Sequence, residues 1–190
     1  EYGQPLHAFD INQVKGGKII VENAKDGEVF TTLDGTERTL TDDMLLIKDA
    51  ERGIAIAGVM GGLNSEIEED TKTIIVESAN FAGSSVRTTS KKLGLRTEAS
   101  ARFEKGIDPN LCEAAADRVC RLIELTGAGK VCKGSVDNYP VPEEAKTIDI
   151  RVDRINRVLG IELERQEMVD ILESLEIKVA GSGNIMTVTP

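Results

Sequence analysis

The spacing of apolar residues changes near the middle of the chain. Up to residue 78 they form short runs rich in Val, Ile and Leu, separated by Asp-Gly pairs and similar turn signals. Such runs are typical of β-strands. We therefore predict five strands, over residues 18–24, 27–33, 44–49, 53–59 and 73–78.

From residue 84 onward, apolar positions recur with the 3.6-residue period of amphipathic helices. Three helices are predicted, each preceded by a Ser, Thr or Asp that favours the N-cap and followed by a Gly that favours the stop. These flanking residues are Ser84 or Ser85 and Gly94 for the first helix, Thr97 and Gly106 for the second, and Asp108 and Gly127 for the third.

The stretch "NYPVPEEAKT" at residues 138–147 has the proline and charge content of a linker. Beyond it, the pattern predicts a strand, two helices and a hairpin that turns at "GSGN". The fold class is therefore α+β. We predict a β-rich domain with C-terminal helices at 1–139, a linker at 140–147, and part of a small winged-helix-like α+β module at 148–190.

Charge argues against a protein that binds nucleic acid through bulk attraction, because the 190-residue chain carries a net charge of −10. Residues 87–105 are an exception, with six Lys and Arg side chains against Glu98 and Glu104. This pattern suits either two helices with solvated basic faces or the edge of a site for an anion. The stretch by itself leaves both interpretations open.

Few residues suit metal or nucleophilic chemistry. There is one His, the three Cys lack metal-type spacing, and the GxSxG, HExxH and P-loop motifs are absent. The acidic stretch "NSEIEED" lacks the Asp/Asn alternation of a calcium loop, so we interpret it as a solvated loop and predict no metal site. Aromatic residues make up only 3%, which disfavours a base-stacking platform.

Two side chains stand out without deciding a function. Glu77 ends the apolar run "TIIVE", a strand predicted to be covered on both faces, so its carboxylate is either solvated at the rim or buried and in need of a partner. His7 is either structural or in contact with a ligand. The glycines of "GVMGG" allow close backbone approach but do not form a dinucleotide motif.

Taken together, the blocks "GQPLHAFD", "GVMGG", "IIVESANF" and "SSVRTTSKKLGLRTEASARFEKGIDP" resemble the editing region of the bacterial phenylalanyl-tRNA synthetase β subunit. The resemblance covers roughly residues 1–139. The segment "IDIRVDRINRVLGIELERQEMVDILESLEI" looks like the start of the next domain of that subunit. Several blocks in the same order make the resemblance specific.

The resemblance implies hydrolysis of tyrosine mistakenly attached to tRNA(Phe), at a site remote from aminoacylation. It implies that Glu77 recognises the tyrosine hydroxyl, that Gly61 and Ala99 leave room for the substrate, and that His7 and Thr97 place the ester or its water. No nucleophile and no general base are assigned. The implied pocket is His7, Gly61, Glu77, Thr97 and Ala99, with Arg96 and Arg102 meeting phosphates of the tRNA.

Further expectations follow from the same resemblance. The partners are the tRNA(Phe) acceptor end and the synthetase α subunit, in a cytoplasmic heterotetramer, with no DNA and no membrane. This chain needs no cofactor, whereas the whole synthetase uses ATP and magnesium. Because family residues upstream of His7 are absent, we expect weak editing by the chain alone. The alternatives are a non-catalytic RNA-docking module and an unrelated metal hydrolase built on the acidic loop.

Overall fold

The computed structural model describes all residues 1–190, which divide into two compact units at 1–134 and 135–190. The first unit contains eight strands and three helices, and the second contains three strands and two helices. The predicted α+β class is confirmed. No helix is long and apolar enough to cross a lipid bilayer.

All strand pairs of the first unit are antiparallel. Four strands form a sheet in the order β2-β5-β6-β7, while β3 pairs with β4 and β1 pairs with β8. The five predicted strands are present but shorter than predicted, and β1, β4 and β7 were not predicted. Strands β1 to β8 span Leu6–Asp10, Ile20–Asn23, Val29–Thr31, Glu37–Thr39, Leu45–Lys48, Gly53–Ile56, Met60–Gly61 and Ile74–Ser78.

The helices of the first unit are α1 (Gly83–Lys92), α2 (Glu98–Phe103) and α3 (Leu111–Leu125). The predicted N-cap of α2 is confirmed, because the Thr97 side chain accepts a hydrogen bond from the Ser100 N–H and the Ser100 hydroxyl binds the Thr97 N–H in return. This reciprocal arrangement is a capping box.

The predicted starts of α1 and α3 are wrong. Helix α1 begins at Gly83 with Ala82 at the N-cap, so Ser84 and Ser85 lie inside its first turn. Helix α3 has Asn110 at its N-cap. The carboxylate of Asp108 accepts from the Asn110 N–H instead, which makes a turn just before the helix.

One apolar core joins the sheets to α1 and α2. The rings of Phe81 and Phe103 meet edge to face at 5.1 Å between centroids. Gly58 lies beneath them with φ +69°, where an added Cβ would be 2.9 Å from Phe81 and 3.0 Å from Val86. Only glycine fits both this backbone conformation and this space.

The second unit is a three-stranded antiparallel sheet in the order β10-β11-β9, with two helices. Its small core contains Met168 of the second helix and Met186 of the central strand. Gly160 ends the first helix in the left-handed conformation, with φ 71°. The elements are β9 (Ile148–Arg151), α4 (Val152–Leu159), α5 (Arg165–Ser174), β10 (Lys178–Ala180) and β11 (Ile185–Thr189).

Candidate functional site

Strands β1 and β8 place His7 directly opposite Glu77. Opposed residues of an antiparallel pair have Cβ atoms about 5 Å apart on the same face. Phe9 and Ile75 are opposed two residues further along and belong to that face, and Phe9 is buried in the core. The ribbon therefore points His7 and Glu77 toward the body of the first unit.

The other face of the ribbon packs against α3. The Ser78 hydroxyl donates a 2.7 Å hydrogen bond to the Cys112 carbonyl at the start of that helix. Residues 75–78 of β8 are all partly buried, in agreement with the expectation that this strand is covered on both faces. Strand β8, which carries Glu77, is thus covered by α3 on one face and by the body of the first unit on the other.

The carboxylate of Glu77 makes no hydrogen bond or ion pair, and one of its two oxygens is buried. Its Oε2 atom is shielded from solvent and makes no hydrogen bond. Burial raises the pKa of the Glu77 carboxyl from 4.5 to about 7. A buried polar atom without a partner is unfavourable, and such atoms in folded proteins call for a specific explanation. Of the two open interpretations, the buried one describes Glu77.

The imidazole of His7 is also partly buried. Its ring lies edge to face against Phe9, with 4.6 Å between centroids. Burial lowers the pKa of His7 below 6.5, so the ring is neutral at pH 7. A neutral imidazole keeps one nitrogen able to accept a hydrogen bond and one able to donate. No ion pair forms between His7 and Glu77.

Gly61 in β7 lies against the His7 ring. A Cβ added at Gly61 would be 2.6 Å from Cε1 and 2.8 Å from Nε2 of His7, and 3.0 Å from Cδ1 of Leu33. The Leu33 N–H donates to the Gly61 carbonyl, which fixes this backbone in place. The absence of a side chain at Gly61 is therefore what lets the imidazole occupy its position.

We expect Gly61→Ala to lower the free energy of unfolding by about 1–3 kcal/mol, because the new methyl group displaces the His7 ring. In a His7→Ala background the same change should be less destabilising. Urea unfolding of the four variants of this double-mutant cycle measures the coupling. Equal losses of unfolding free energy in both backgrounds would contradict the contact between Gly61 and His7. The control is Gly129→Ala, whose added Cβ would meet only Ile123, at 3.3 Å.

Thr97 attaches the N-terminus of α2 to the same region. Besides its capping role, its hydroxyl donates a 2.7 Å hydrogen bond to the carbonyl of Val59, two residues before Gly61. Ala99, in the first turn of α2, is partly buried and packs against the core. The first turn of α2 therefore lies beside β7.

We expect Thr97→Ala to lower the free energy of unfolding by about 2 kcal/mol, since it removes an N-cap and the bond to Val59. Thr97→Ser keeps the hydroxyl and should stay near the wild-type value. Urea denaturation followed by circular dichroism measures both variants. Equal destabilisation by the two substitutions would show that the hydroxyl contributes nothing.

The sequence that forms this site belongs to one of two regions of the chain that match known domain families. The B3/4 domain matches residues 1–127, and the tRNA synthetase B5 domain matches residues 148–190. The chain belongs to the B3/4 domain family. The B3/4 domain contains all the residues described above, and the B5 match lies within the second compact unit.

Curated relatives carry the same two regions. The phenylalanine–tRNA ligase beta subunit of Clostridium tetani is 49% identical over 189 residues, and that of Geobacter metallireducens is 52% identical over 179 residues. These alignments cover 100% and 94% of this chain but only 24% and 22% of the relatives. The chain thus spans about a quarter of their length, and its predicted resemblance to this subunit is confirmed.

A solved structure is also similar to the chain. It is an N-terminal fragment of the phenylalanyl-tRNA synthetase beta subunit from Pyrococcus horikoshii, with a TM-score of 0.43 and 17% sequence identity. The similarity covers 97% of this chain and 53% of that fragment.

Arg96 and Arg102 lie on the surface of the B3/4 domain, near the ends of α2. Each faces a carboxylate at a distance longer than a hydrogen bond: Arg96 is 3.8 Å from Glu104, and Arg102 is 3.7 Å from Glu98. Exposed pairs of this kind contribute little stability. Both guanidinium groups therefore remain able to exchange these carboxylates for another anion.

The acidic loop of the B3/4 domain does not form a cluster of ligands. No group of three or more His, Cys, Asp or Glu side chains is placed to hold a metal ion. In "NSEIEED", Ser65 is buried and its hydroxyl donates to the Ile54 carbonyl, while residues 66–70 are exposed.

Two cavities lie away from Glu77. One of about 410 Å³ is lined by residues 28–31 of the β3 region and by Arg52, Gly53, Leu63 and Asn64. The other, of about 650 Å³, lies in the second unit between α4 and its neighbouring strands. The candidate site is therefore identified by convergent side chains at Glu77 and not by a large cavity.

Three contacts of the site were not predicted from the sequence. They are the Leu33 contact with Gly61, the Phe9 ring against His7, and Ser100 as the second member of the capping box. Ser100 carries a weak signal, since it stands three residues after Thr97, where Glu or Gln is usual. The Phe9 contact follows from the two-residue period of β1, a strand that was not predicted, because His7 and Phe9 share one face of it. The Leu33 contact depends on the tertiary structure and has no local signal.

Proposed function

We propose that this B3/4 domain hydrolyses the ester of tyrosine misattached to tRNA(Phe), as the editing site of a phenylalanine–tRNA ligase. The observation that carries the proposal is the shielded Oε2 of Glu77, which has no partner and lies on the same face as His7. A tyrosine ring entering beside it would supply the missing hydrogen bond through its phenolic O–H.

Selectivity follows from the cost of leaving that oxygen unsatisfied. Phenylalanine differs from tyrosine only by the hydroxyl, and an apolar pocket cannot favour the larger, more polar ring. A buried acid can favour tyrosine, because bound phenylalanine would cover the carboxyl group without forming a hydrogen bond to it. Sites built to bind a substrate hydroxyl reject the analogue lacking it by roughly four to five powers of ten.

The protonation of Glu77 suits this task. With a pKa of about 7, Glu77 is present in both its neutral and its charged form near neutral pH. The charged carboxylate would accept a charge-assisted hydrogen bond from the phenolic O–H, and the neutral carboxyl would donate its O–H to the phenolic oxygen. Tyrosine therefore finds a partner in either state.

Hydrolysis requires little from the protein, because an aminoacyl ester is already activated. Positioning the ester and a water molecule, and stabilising the developing oxyanion, can supply the acceleration without a covalent intermediate. The neutral ring of His7 can orient that water or the ester. Gly61 and Ala99 leave the space, and Thr97 fixes the helix that borders it.

The proposal also assigns partners. The acceptor end of tRNA(Phe) would approach along the first turn of α2, with Arg96 and Arg102 exchanging Glu104 and Glu98 for phosphates. The α subunit of the parent synthetase would hold the phenylalanine and ATP sites, with magnesium used in aminoacylation.

The test is a deacylation assay with the parent synthetase. Wild-type enzyme should hydrolyse Tyr-tRNA(Phe) rapidly and leave Phe-tRNA(Phe) intact. This 190-residue chain should show the same preference at a lower rate. A non-catalytic RNA-docking module, the first of the two alternatives, predicts tRNA binding without deacylation, and that outcome would overturn the proposal.

A further inference from the structure

Helix α1 differs in charge from every other helix of the chain. Its ten residues, GSSVRTTSKK, contain one Arg, two Lys and no acidic residue, whereas α2 to α5 each contain Asp or Glu. The chain as a whole carries a net charge of −10. A helix with only positive charges in such a chain creates a local region attractive to anions.

One side of α1 is exposed and carries only hydrogen-bond donors and hydroxyls. Its residues are spaced i, i+3, i+4 and i+7, so they share one helix face, while Val86, Thr89 and Ser90 point into the protein. We call this side the donor face of α1; it consists of Ser84, Arg87, Thr88 and Lys91.

The donor face has no partners within the protein. Of the six cations between residues 87 and 105, Lys92 pairs with Asp43 at 2.8 Å, and Arg96 and Arg102 face carboxylates. No ion pair or side-chain hydrogen bond engages Arg87 or Lys91, nor the hydroxyls of Ser84 and Thr88. Two cations one helical turn apart are thus left fully available.

Helix α1 is fixed to the elements that carry the candidate site. It begins five residues after Ser78, which ends the strand bearing Glu77. An added Cβ at Gly83 would lie 2.8 Å from the Phe103 carbonyl, so the start of α1 touches the end of α2. The Ser90 hydroxyl donates to the Leu95 carbonyl, which holds the connection leading to Thr97.

We propose that the donor face of α1 binds phosphates of an RNA backbone, and so holds the acceptor stem while its end reaches Glu77. This inference rests on the proposed function for its choice of polyanion. Arg, Lys and hydroxyl side chains supply most protein contacts to phosphate, and such contacts position nucleic acid without reading sequence. The donor face would act together with Arg96 and Arg102.

The test compares two double variants of the parent synthetase that each remove two exposed cations. Arg87→Gln/Lys91→Gln changes the donor face, and Lys130→Gln/Lys133→Gln changes the segment after α3. Each phosphate contact adds about 0.7–0.9 to the salt slope. We expect the first variant to raise KM for Tyr-tRNA(Phe) deacylation by roughly 3–10-fold and to reduce the slope of log(kcat/KM) against log[salt] by about 1.5.

The second variant should leave both quantities unchanged. Equal effects of the two variants, or none from the first, would overturn the assignment of the donor face. So would binding of wild-type protein to phosphatidylserine vesicles that depends on Arg87 and Lys91 while tRNA kinetics stay unaltered. If wild-type enzyme fails to deacylate Tyr-tRNA(Phe), the proposed function is wrong. The role of α1 is then tested separately, by comparing the affinities of the same two variants for uncharged tRNA in a filter-binding assay.

Discussion

Replacing Glu77 with alanine in the parent synthetase is expected to lower the preference for hydrolysing Tyr-tRNA(Phe) over Phe-tRNA(Phe) by roughly three powers of ten or more. In the proposed site, the substitution removes the acid that tyrosine would satisfy and phenylalanine would leave unpaired. Phenylalanine charging should survive, because the proposal places it in another subunit. Deacylation rates of the two charged tRNAs, measured side by side, give the ratio directly.

Two controls accompany this experiment. Glu69→Ala removes an exposed carboxylate from the acidic loop and should leave the ratio unchanged. The metal-hydrolase alternative instead predicts lost activity in that variant and in the presence of a chelator. Normal clearance of Tyr-tRNA(Phe) by the Glu77→Ala enzyme would mean that another group recognises the hydroxyl.

The second large effect concerns stability and pH. Burial raises the pKa of Glu77 from 4.5 to about 7, so the folded protein holds a proton that the unfolded chain has released between these values. The associated stability is fully present below pH 4.5 and is lost as pH rises to 7. The 2.5-unit difference corresponds to about 3 kcal/mol.

Glu77→Gln stays neutral at every pH and avoids this loss. We therefore expect the variant to gain stability over wild type by up to about 3 kcal/mol between pH 4.5 and pH 8. The lowered pKa of His7 acts in the opposite direction, because a buried neutral His loses stability as pH falls, but His7 is common to both proteins and cancels in the difference. Urea unfolding of both proteins at pH 4.5, 6 and 8 measures it.

Glu69→Gln is the matched control, since its carboxylate is exposed. Its free energy of unfolding should differ from that of wild type by a constant amount between pH 4.5 and pH 8. A difference between Glu77→Gln and wild type that does not change with pH would contradict the burial of an unpartnered acid.

Local chemistry explains what the sequence could predict. Thr97 was recognised as an N-cap because the signal for a cap lies within four residues and needs no distant partner. Gly94, which follows α1 with φ 59°, was predicted by the same logic. The N-caps of α1 and α3 were misplaced by two or three residues. At α1 the N-cap is Ala82, which offers no capping side chain as a signal, and at α3 both Asp108 and Asn110 are residues that favour the N-cap.

The convergence of the site was not available from local pattern. His7 and Gly61 lie on β1 and β7, strands of five and two residues that have no distinctive apolar run. The closeness of His7 to Glu77 depends on the pairing of β1 with β8 across 70 residues of sequence. The contact of His7 with Gly61 depends on how this pair of strands packs against the sheet that contains β7. Whether Glu77 is solvated or buried likewise depends on which elements cover β8, and only the tertiary structure decides that.

The proposed selectivity depends on Oε2 of Glu77, an acid oxygen that is shielded from water and that the hydroxyl of tyrosine, but not the ring of phenylalanine, would satisfy. Carboxyl ¹³C NMR of this chain, with the Glu77 signal assigned from Glu77→Gln, tests it most directly. We expect titration near pH 7 in the free protein, a lower apparent pKa when L-tyrosine is added, and no change with L-phenylalanine. Titration near pH 4.5, or the same response to both amino acids, would contradict it.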